Sequence, residues 1–116
     1  MKLIEDFYDI ESRREEGGES VFRVVLRPEC KVYEGHFPGS PVAPGVCNIQ
    51  MIRECAEAVA GRPLLFSKIA QCRMTQLITP REFPMLDVHV ALEGENLVAS
   101  IVSGETVCLT LKATIE

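Results

Sequence analysis

Gly35-His36-Phe37-Pro38-Gly39-Ser40-Pro41-Val42-Ala43-Pro44-Gly45 runs directly into residues 46–60, a stretch without proline or glycine. That change of composition decides how the chain is read. Upstream, residues 27–45 hold Pro28, Pro38, Pro41 and Pro44. Each proline removes a backbone donor and restricts the residue before it, so neither a helix nor a central strand runs through. Downstream, Val46, Ile49, Ile52, Ala56, Val59 and Ala60 recur at helical spacing and predict one apolar stripe. Gly61-Arg62-Pro63 supplies a glycine-then-proline stop. This is the one convincing helix of the chain, and it follows a long loop of the kind that carries function in small domains.

Outward from this helix the sequence reads as strands. Residues 3–15 form a first strand, Gly17-Gly18 a hairpin turn, and residues 21–26 a β-branched and aromatic partner. After the helix, residues 64–73, 85–92, 97–102 and 106–115 are four more, punctuated by Thr79-Pro80, Gly94-Glu95-Asn96 and Ser103-Gly104-Glu105. The order β-β-α-β-β-β-β predicts an α+β domain. One helix must bury its stripe against a curved antiparallel sheet of about six strands wrapped around it. At 116 residues, a single domain spanning 1–116 is expected.

Composition narrows the partners. Hydrophobic residues make up 47% and charged residues 25%, with a net charge of -5 and no basic block beyond Arg13-Arg14. Nucleic-acid binding needs a basic face and is not expected. No apolar run reaches the roughly 20 residues of a membrane span. The N-terminus turns acidic after four residues, unlike a signal peptide. A cytoplasmic location is therefore expected. The five cysteines, Cys30, Cys47, Cys55, Cys72 and Cys108, include no Cys-x-x-Cys pair. They read as reduced, small buried residues, with no disulfide framework or zinc site.

The loop has chemistry of its own. His36 follows a glycine and lies among prolines, which leave its imidazole little entropy to lose. Histidine titrates near neutral pH and suits a general base or acid. Gly45 at the helix start lets a ligand approach the backbone. The first helical amides have no internal partner and carry the positive end of the dipole. Such a cradle stabilises a carbonyl oxygen that gains negative charge. A base beside it is the arrangement that proton abstraction next to a thioester requires.

Residues 35–46, Gly-His-Phe-Pro-Gly-x-Pro-x-x-Pro-Gly-Val, resemble the active-site segment of the hot-dog-fold 3-hydroxyacyl-[acyl-carrier-protein] dehydratases (FabZ-like), with every patterned position filled. The likeness is weaker over the helix, residues 69–80 and the closing strands. The resemblance implies a hot-dog fold. It also implies that His36 removes the C2 proton of a (3R)-hydroxyacyl thioester, giving a trans-2-enoyl thioester. Gly45 would hold the thioester carbonyl, and Gly45, Val46 and Phe37 are the expected substrate contacts. The acyl group would arrive on the phosphopantetheine of acyl carrier protein, with no metal or diffusible cofactor. Sites in this family are shared between the subunits of a dimer, in some members a trimer of dimers.

The chain departs from the family at one position. Where the family has a helix carboxylate, fourteen residues after the histidine, this chain has Gln50. An amide hydrogen-bonds but cannot shuttle a proton near neutral pH. Glu54, one turn on, is the candidate substitute acid, although Glu54 and Glu57 read more simply as the solvated flank of the helix. Cys47 and Asn48, in the first turn, lie within reach of a substrate, Cys47 by default as a small buried thiol. His89, between Val88 and Val90, reads as an outward or interface strand residue. Three functions follow: a dehydratase of fatty-acid or related lipid synthesis with His36 and Gln50 in a modified site; a catalytically impaired acyl-thioester-binding subunit working beside a paralogous hot-dog chain; or a hot-dog acyl thioesterase.

Overall fold

The computed structural model describes residues 3–33 and 42–116. The elements are β1 (Tyr8–Glu16), β2 (Glu19–Leu26), a short 3-10 turn (Lys31–Tyr33), α1 (Gly45–Ala60), β3 (Phe66–Met74), β4 (Met85–Glu93), β5 (Asn96–Ser103) and β6 (Thr106–Ile115). The strands form one antiparallel sheet in the order β1-β2-β4-β5-β6-β3. The expected element order and α+β class therefore hold. The β4-β5-β6 meander fills the middle, and β3 lies beyond β6. That leaves β1 and β3 as the two edges.

Local chemistry explains the joints. Gly17 and Gly18 take φ of 57° and 82°, the left-handed pair that closes a two-residue hairpin with the twist of its strands. Gly61 takes φ 70° and its N–H returns to the Glu57 carbonyl, which ends α1. The helix lies against β4. Met51, Ile52, Cys55 and Ala56 are fully buried, as are Leu86, Val88, Val90, Ile101, Leu109 and Leu111 from the sheet. Each large apolar side chain so buried contributes about 1.5–3 kcal/mol.

The structure corrects the sequence reading in three places. The period of the helix holds but its phase is rotated by about one residue (roughly 100°). Cys47, Asn48, Met51, Ile52, Cys55 and Ala56 face the core, while Val46 is 68% exposed. Hydropathy favours valine over cysteine and methionine, yet the sheet wraps the Cys47–Met51–Cys55 side. The first strand begins only at Tyr8, because residues 3–7 form a turn with Glu5 at φ 74°. The Phe7 amide donates to the Leu3 carbonyl and the Glu5 amide to the Tyr8 carbonyl. Lastly, Cys72 is exposed and Cys30 half-buried, whereas Cys47, Cys55 and Cys108 are buried. Cys72 lies on edge strand β3, where no described element covers it.

Candidate active site

His36 and Phe37 lie outside the described residues, so the site is built from what flanks them. Residues 42–44 enter α1 in an extended run. The Ala43 N–H donates to the Ile78 carbonyl at 2.7 Å, which pins the entry against the segment that follows β3. Pro44, at φ -61° and ψ 142°, is the N-cap and offers no side-chain acceptor. Its carbonyl takes the amides of Cys47 and Asn48 at 3.0 and 3.1 Å. The amides ahead of them, at Gly45 and Val46, precede the first intrahelical bond. They form the donor end of the helix, which no side chain among the described residues caps. A Cβ built on Gly45 would stand 2.6 Å from Cε of Met74. Glycine at this position thus admits the Met74 side chain from β3, which brings the edge strand onto the helix start. Val46 is exposed beside it.

The second half of the site lies one turn further along. Gln50 is half-buried. Its Nε2 donates to Glu54 Oε2 at 2.9 Å. A carboxylate only accepts, so the NH2 end of the amide must face Glu54, and the Gln50 carbonyl oxygen faces away from it. Glu54 is not a solvated flank residue. It accepts the backbone N–H of Leu3 at 2.7 Å and of Ile4 at 2.9 Å, and the Tyr8 hydroxyl at 2.9 Å. Its carboxylate fastens the N-terminal turn to the helix. Burial, followed by the neighbouring Cys55 and Glu54, holds the Tyr8 hydroxyl far above its ordinary pKa, so it stays a donor. Glu57 is equally committed: it accepts the Leu64 N–H at 2.8 Å and lies 3.8 Å from Arg53 Nε. Four donors converge on Glu54, and this describes an anchor better than a group that hands a proton to a substrate.

The first-turn thiol and amide are both interior. Burial, then Cys30, pushes the Cys47 thiol up, and burial takes Cys55 up to about 12. Neither is a nucleophile near neutral pH. Asn48 is fully buried, and its amide has no hydrogen-bond partner on either atom. The buried Tyr33 hydroxyl is unpartnered too. Tyr33 packs its ring on Phe7, with centroids 5.9 Å apart. His89 is half-buried on the outer face of β4, with Nδ1 3.4 Å from Glu19 Oε1, and Val88 and Val90 point into the core. Among the described residues no three His, Cys, Asp or Glu side chains form a metal-binding group, and no helix is long and apolar enough to cross a membrane.

Sequence reasoning missed Tyr8 and Met74. Tyr8 lies 46 residues from the carboxylate it meets, so no local periodicity signals it. Met74 ends a strand whose place beside the helix start depends on the sheet order.

Known proteins agree with this architecture. A family model described as ApeI-like, ApeI dehydratase, matches residues 12–111. The 3-hydroxyacyl-[acyl-carrier-protein] dehydratase FabZ of Enterococcus faecalis is 34% identical over 68 residues, 52% of this chain and 48% of that protein. FabZ of Geobacillus thermodenitrificans is 28% identical over 107 residues, 83% of this chain and 74% of that protein. The chain spans about half the length of the first curated relatives it matches. Among solved structures, the dehydratase heterocomplex ApeI:P of Xenorhabdus doucetiae superposes with TM-score 0.77 at 19% identity, covering 91% of this chain and 95% of that one. The dehydratase domain from the CurJ module of curacin polyketide synthase superposes with TM-score 0.69 at 14% identity, covering 92% of this chain and 41% of that one. At such identities the likeness shows the fold, a six-stranded antiparallel hot-dog sheet with one helix. With the family model covering residues 12–111, the chain belongs to the ApeI-like dehydratase family.

Proposed function

We propose that this protein acts on (3R)-hydroxyacyl thioesters, removing water to give the trans-2-enoyl thioester, with His36 as the base. The observation that carries this is the start of α1, whose first amides no described side chain caps, directly after the His36 segment. The Gly45 amide there precedes the first helical bond. The thioester carbonyl would accept at this end of the helix, where negative charge building on its oxygen is stabilised. His36 would take the C2 proton, and the electron pair left behind would expel the 3-hydroxyl. That hydroxyl needs a proton to leave as water.

Gln50 cannot supply the proton. Its nitrogen is engaged by Glu54, and its amide would position the 3-hydroxyl without transferring a proton. The proton returns from His36 or comes from a second chain. Loss of a dedicated acid typically slows such chemistry by about 10²–10⁴-fold. The acyl group would be carried by the phosphopantetheine of an acyl carrier protein, in fatty-acid or related lipid synthesis, with no metal or diffusible cofactor.

Gln50 also favours a second reading, in which the chain is one subunit of a mixed dehydratase and a paralogous hot-dog chain provides the missing carboxylate. A solved structure of the same fold is a dehydratase heterocomplex, ApeI:P, which lends support to a mixed assembly. A thioesterase has less in its favour, because Glu54, the carboxylate next along the helix, is fully engaged as an anchor.

The test is incubation of the purified chain with a 3-hydroxyacyl thioester of acyl carrier protein, following enoyl product and free thiol separately. Enoyl formation that His36→Ala abolishes is expected. Free thiol without enoyl would make it a thioesterase. Absence of turnover until a paralogous chain is added would select the mixed enzyme.

A further inference from the structure

Two buried side chains hold polar groups that bond to nothing. Among the described residues, the buried side-chain polar atoms without a hydrogen-bond partner are the Tyr33 hydroxyl oxygen and both Nδ2 and Oδ1 of Asn48. The other buried hydroxyls, of Ser20 and Tyr8, are answered: Ser20 donates to Glu15 Oε2 at 2.7 Å and Tyr8 to Glu54 Oε1 at 2.9 Å. Orphaned groups in the interior cost stability, and an apolar side chain of the same shape would remove that cost. A group kept orphaned in the folded chain calls for a partner that is not part of the chain, a water or a ligand.

Both residues flank the segment that carries His36. Tyr33 closes the 3-10 turn just before it, and Asn48 lies in the first turn of α1 just after it. Burial, then Cys30 and Cys47, holds the Tyr33 hydroxyl above its ordinary pKa, so it remains a donor and lies near Cys47, the residue before Asn48. Asn48 follows Gly45 by three residues and shares its side of the helix. It is fully buried, so its partner is an entering group that displaces a side chain. Beside Gly45 that side chain is Met74, whose Cε fills the space a Cβ would take. Met74 is unbranched and 45% exposed, and it gives way at little cost.

Distance along the helix indicates which part of a substrate arrives there. Residues three apart on a helix lie about 5 Å from each other, and an extended chain advances about 1.2 Å per bond. With the thioester carbonyl at the Gly45 amide, the atom about four bonds further on stands beside Asn48. Counting the carbonyl carbon as C1, that atom is C5. We infer that Asn48 and Tyr33 read the acyl tail, so that the site takes 3-hydroxyacyl thioesters with a further oxygen near C5 in preference to plain alkyl chains; this rests on the proposed seat of the thioester. A carbonyl or hydroxyl oxygen there accepts from the Tyr33 hydroxyl and from Asn48 Nδ2, and a hydroxyl also donates to Asn48 Oδ1. An alkyl tail leaves all these atoms orphaned, and a site built to bond an oxygen rejects the analogue that lacks it. Acyl chains grown two carbons at a time carry their oxygens on odd-numbered carbons. The reaction that supplies this substrate is therefore an extension of a chain whose previous β-oxygen has not been removed.

Hexanoyl-pantetheine and 5-oxohexanoyl-pantetheine test this as a pair, because they differ only at C5 and neither has a 3-hydroxyl to lose. Isothermal titration calorimetry measures the binding of each to wild type, Asn48→Leu and Tyr33→Phe, with circular dichroism as a check of folding. Wild type should bind the 5-oxo thioester about tenfold or more tighter, the discrimination of one well-made hydrogen bond to a buried group. Asn48→Leu should lose that preference and bind the hexanoyl thioester at least as tightly as wild type does. Tyr33→Phe, the milder change, should reduce the preference by about threefold or more. Equal binding of the two probes by wild type, as a buried water on Asn48 and Tyr33 would give, overturns the inference. So does a preference undiminished in either folded variant, or no binding of the 5-oxo thioester. Dehydration plays no part in this readout. Equal binding therefore leaves the dehydratase reading standing, and a chain that fails to dehydrate still shows the preference.

Discussion

Replacing Glu54 by alanine is the sharpest structural test of how the helix is tied to the rest of the chain. Four donors lose their acceptor: the amides of Leu3 and Ile4, the Tyr8 hydroxyl and the Gln50 amide. Water can replace the carboxylate at the exposed Ile4 and, in part, at Gln50. It cannot easily do so at Tyr8, which is fully buried. An orphaned buried hydroxyl costs about 1–3 kcal/mol, and a lost bond to a charged group at Leu3 about 1.5 kcal/mol more. Alanine returns a few tenths through helix propensity. The net loss is about 3 kcal/mol. With an unfolding entropy of roughly 2.1 cal/mol/K per residue, this lowers Tm by about 12 °C. Urea unfolding of Glu54→Ala, Tyr8→Phe and the double variant measures it. The double variant should recover about 1–2 kcal/mol relative to additivity, because Tyr8→Phe removes the orphan. A Glu54→Ala protein within about 0.5 kcal/mol of wild type, or strict additivity, would refute the anchoring role. Glu54→Gln should keep turnover within a few-fold, whereas a loss of about 10²-fold or more would give Glu54 an acid's role after all.

Asn48→Leu should raise the urea midpoint, since it exchanges an unsatisfied buried amide for an apolar group of similar size; a loss above about 1 kcal/mol would mean that the amide has a partner in solution. Gln50→Glu sets a second carboxylate against Glu54, which raises the pKa of the pair. A carboxyl raised in the folded state favours folding at low pH, so this variant should lose stability as pH rises above about 4.3, the unfolded value, and approach wild type below it. A pH series of thermal unfolding curves checks this. At Asp87 the sign is reversed. The Arg23 guanidinium, at 3.0 Å, holds the Asp87 carboxyl below its usual range, so its contribution is present above about pH 4 and fades as acid protonates it. Asp87→Asn should therefore differ from wild type at neutral pH and converge with it in acid.

Much of the fold was legible because its signals are local. Alternation marked β4 and β6, Gly17-Gly18 marked the hairpin, and Gly61 before Pro63 ended the helix within one residue of its observed limit. The phase of the helix was not legible. It depends on which side the sheet covers, and Cys47, Met51 and Cys55 rank no higher than Val46 and Ile49 on hydropathy. The role of Glu54 was hidden for a different reason. Its partners are Leu3 and Tyr8, brought close only when the N-terminal turn docks on α1. Strand β3 was visible as a strand but not as an edge, since only the sheet order leaves one side of it open. The candidate site rests on residue types, His36, Gly45 and the amide at Gln50, of which His36 lies outside the described residues. How Gln50 is used depends on Glu54 beside it, which only the fold supplies.

The central claim is that the His36 loop serves dehydration of an acyl thioester. Its most direct test is the rate of enoyl formation from a (3R)-hydroxyacyl-carrier-protein thioester, compared between wild type and His36→Ala. The measurement is made on the chain alone and with a paralogous hot-dog chain present. The account predicts enoyl product in at least one of these conditions and a fall of about 10²-fold or more in His36→Ala. Equal rates in wild type and His36→Ala, or free thiol as the only product, would contradict it.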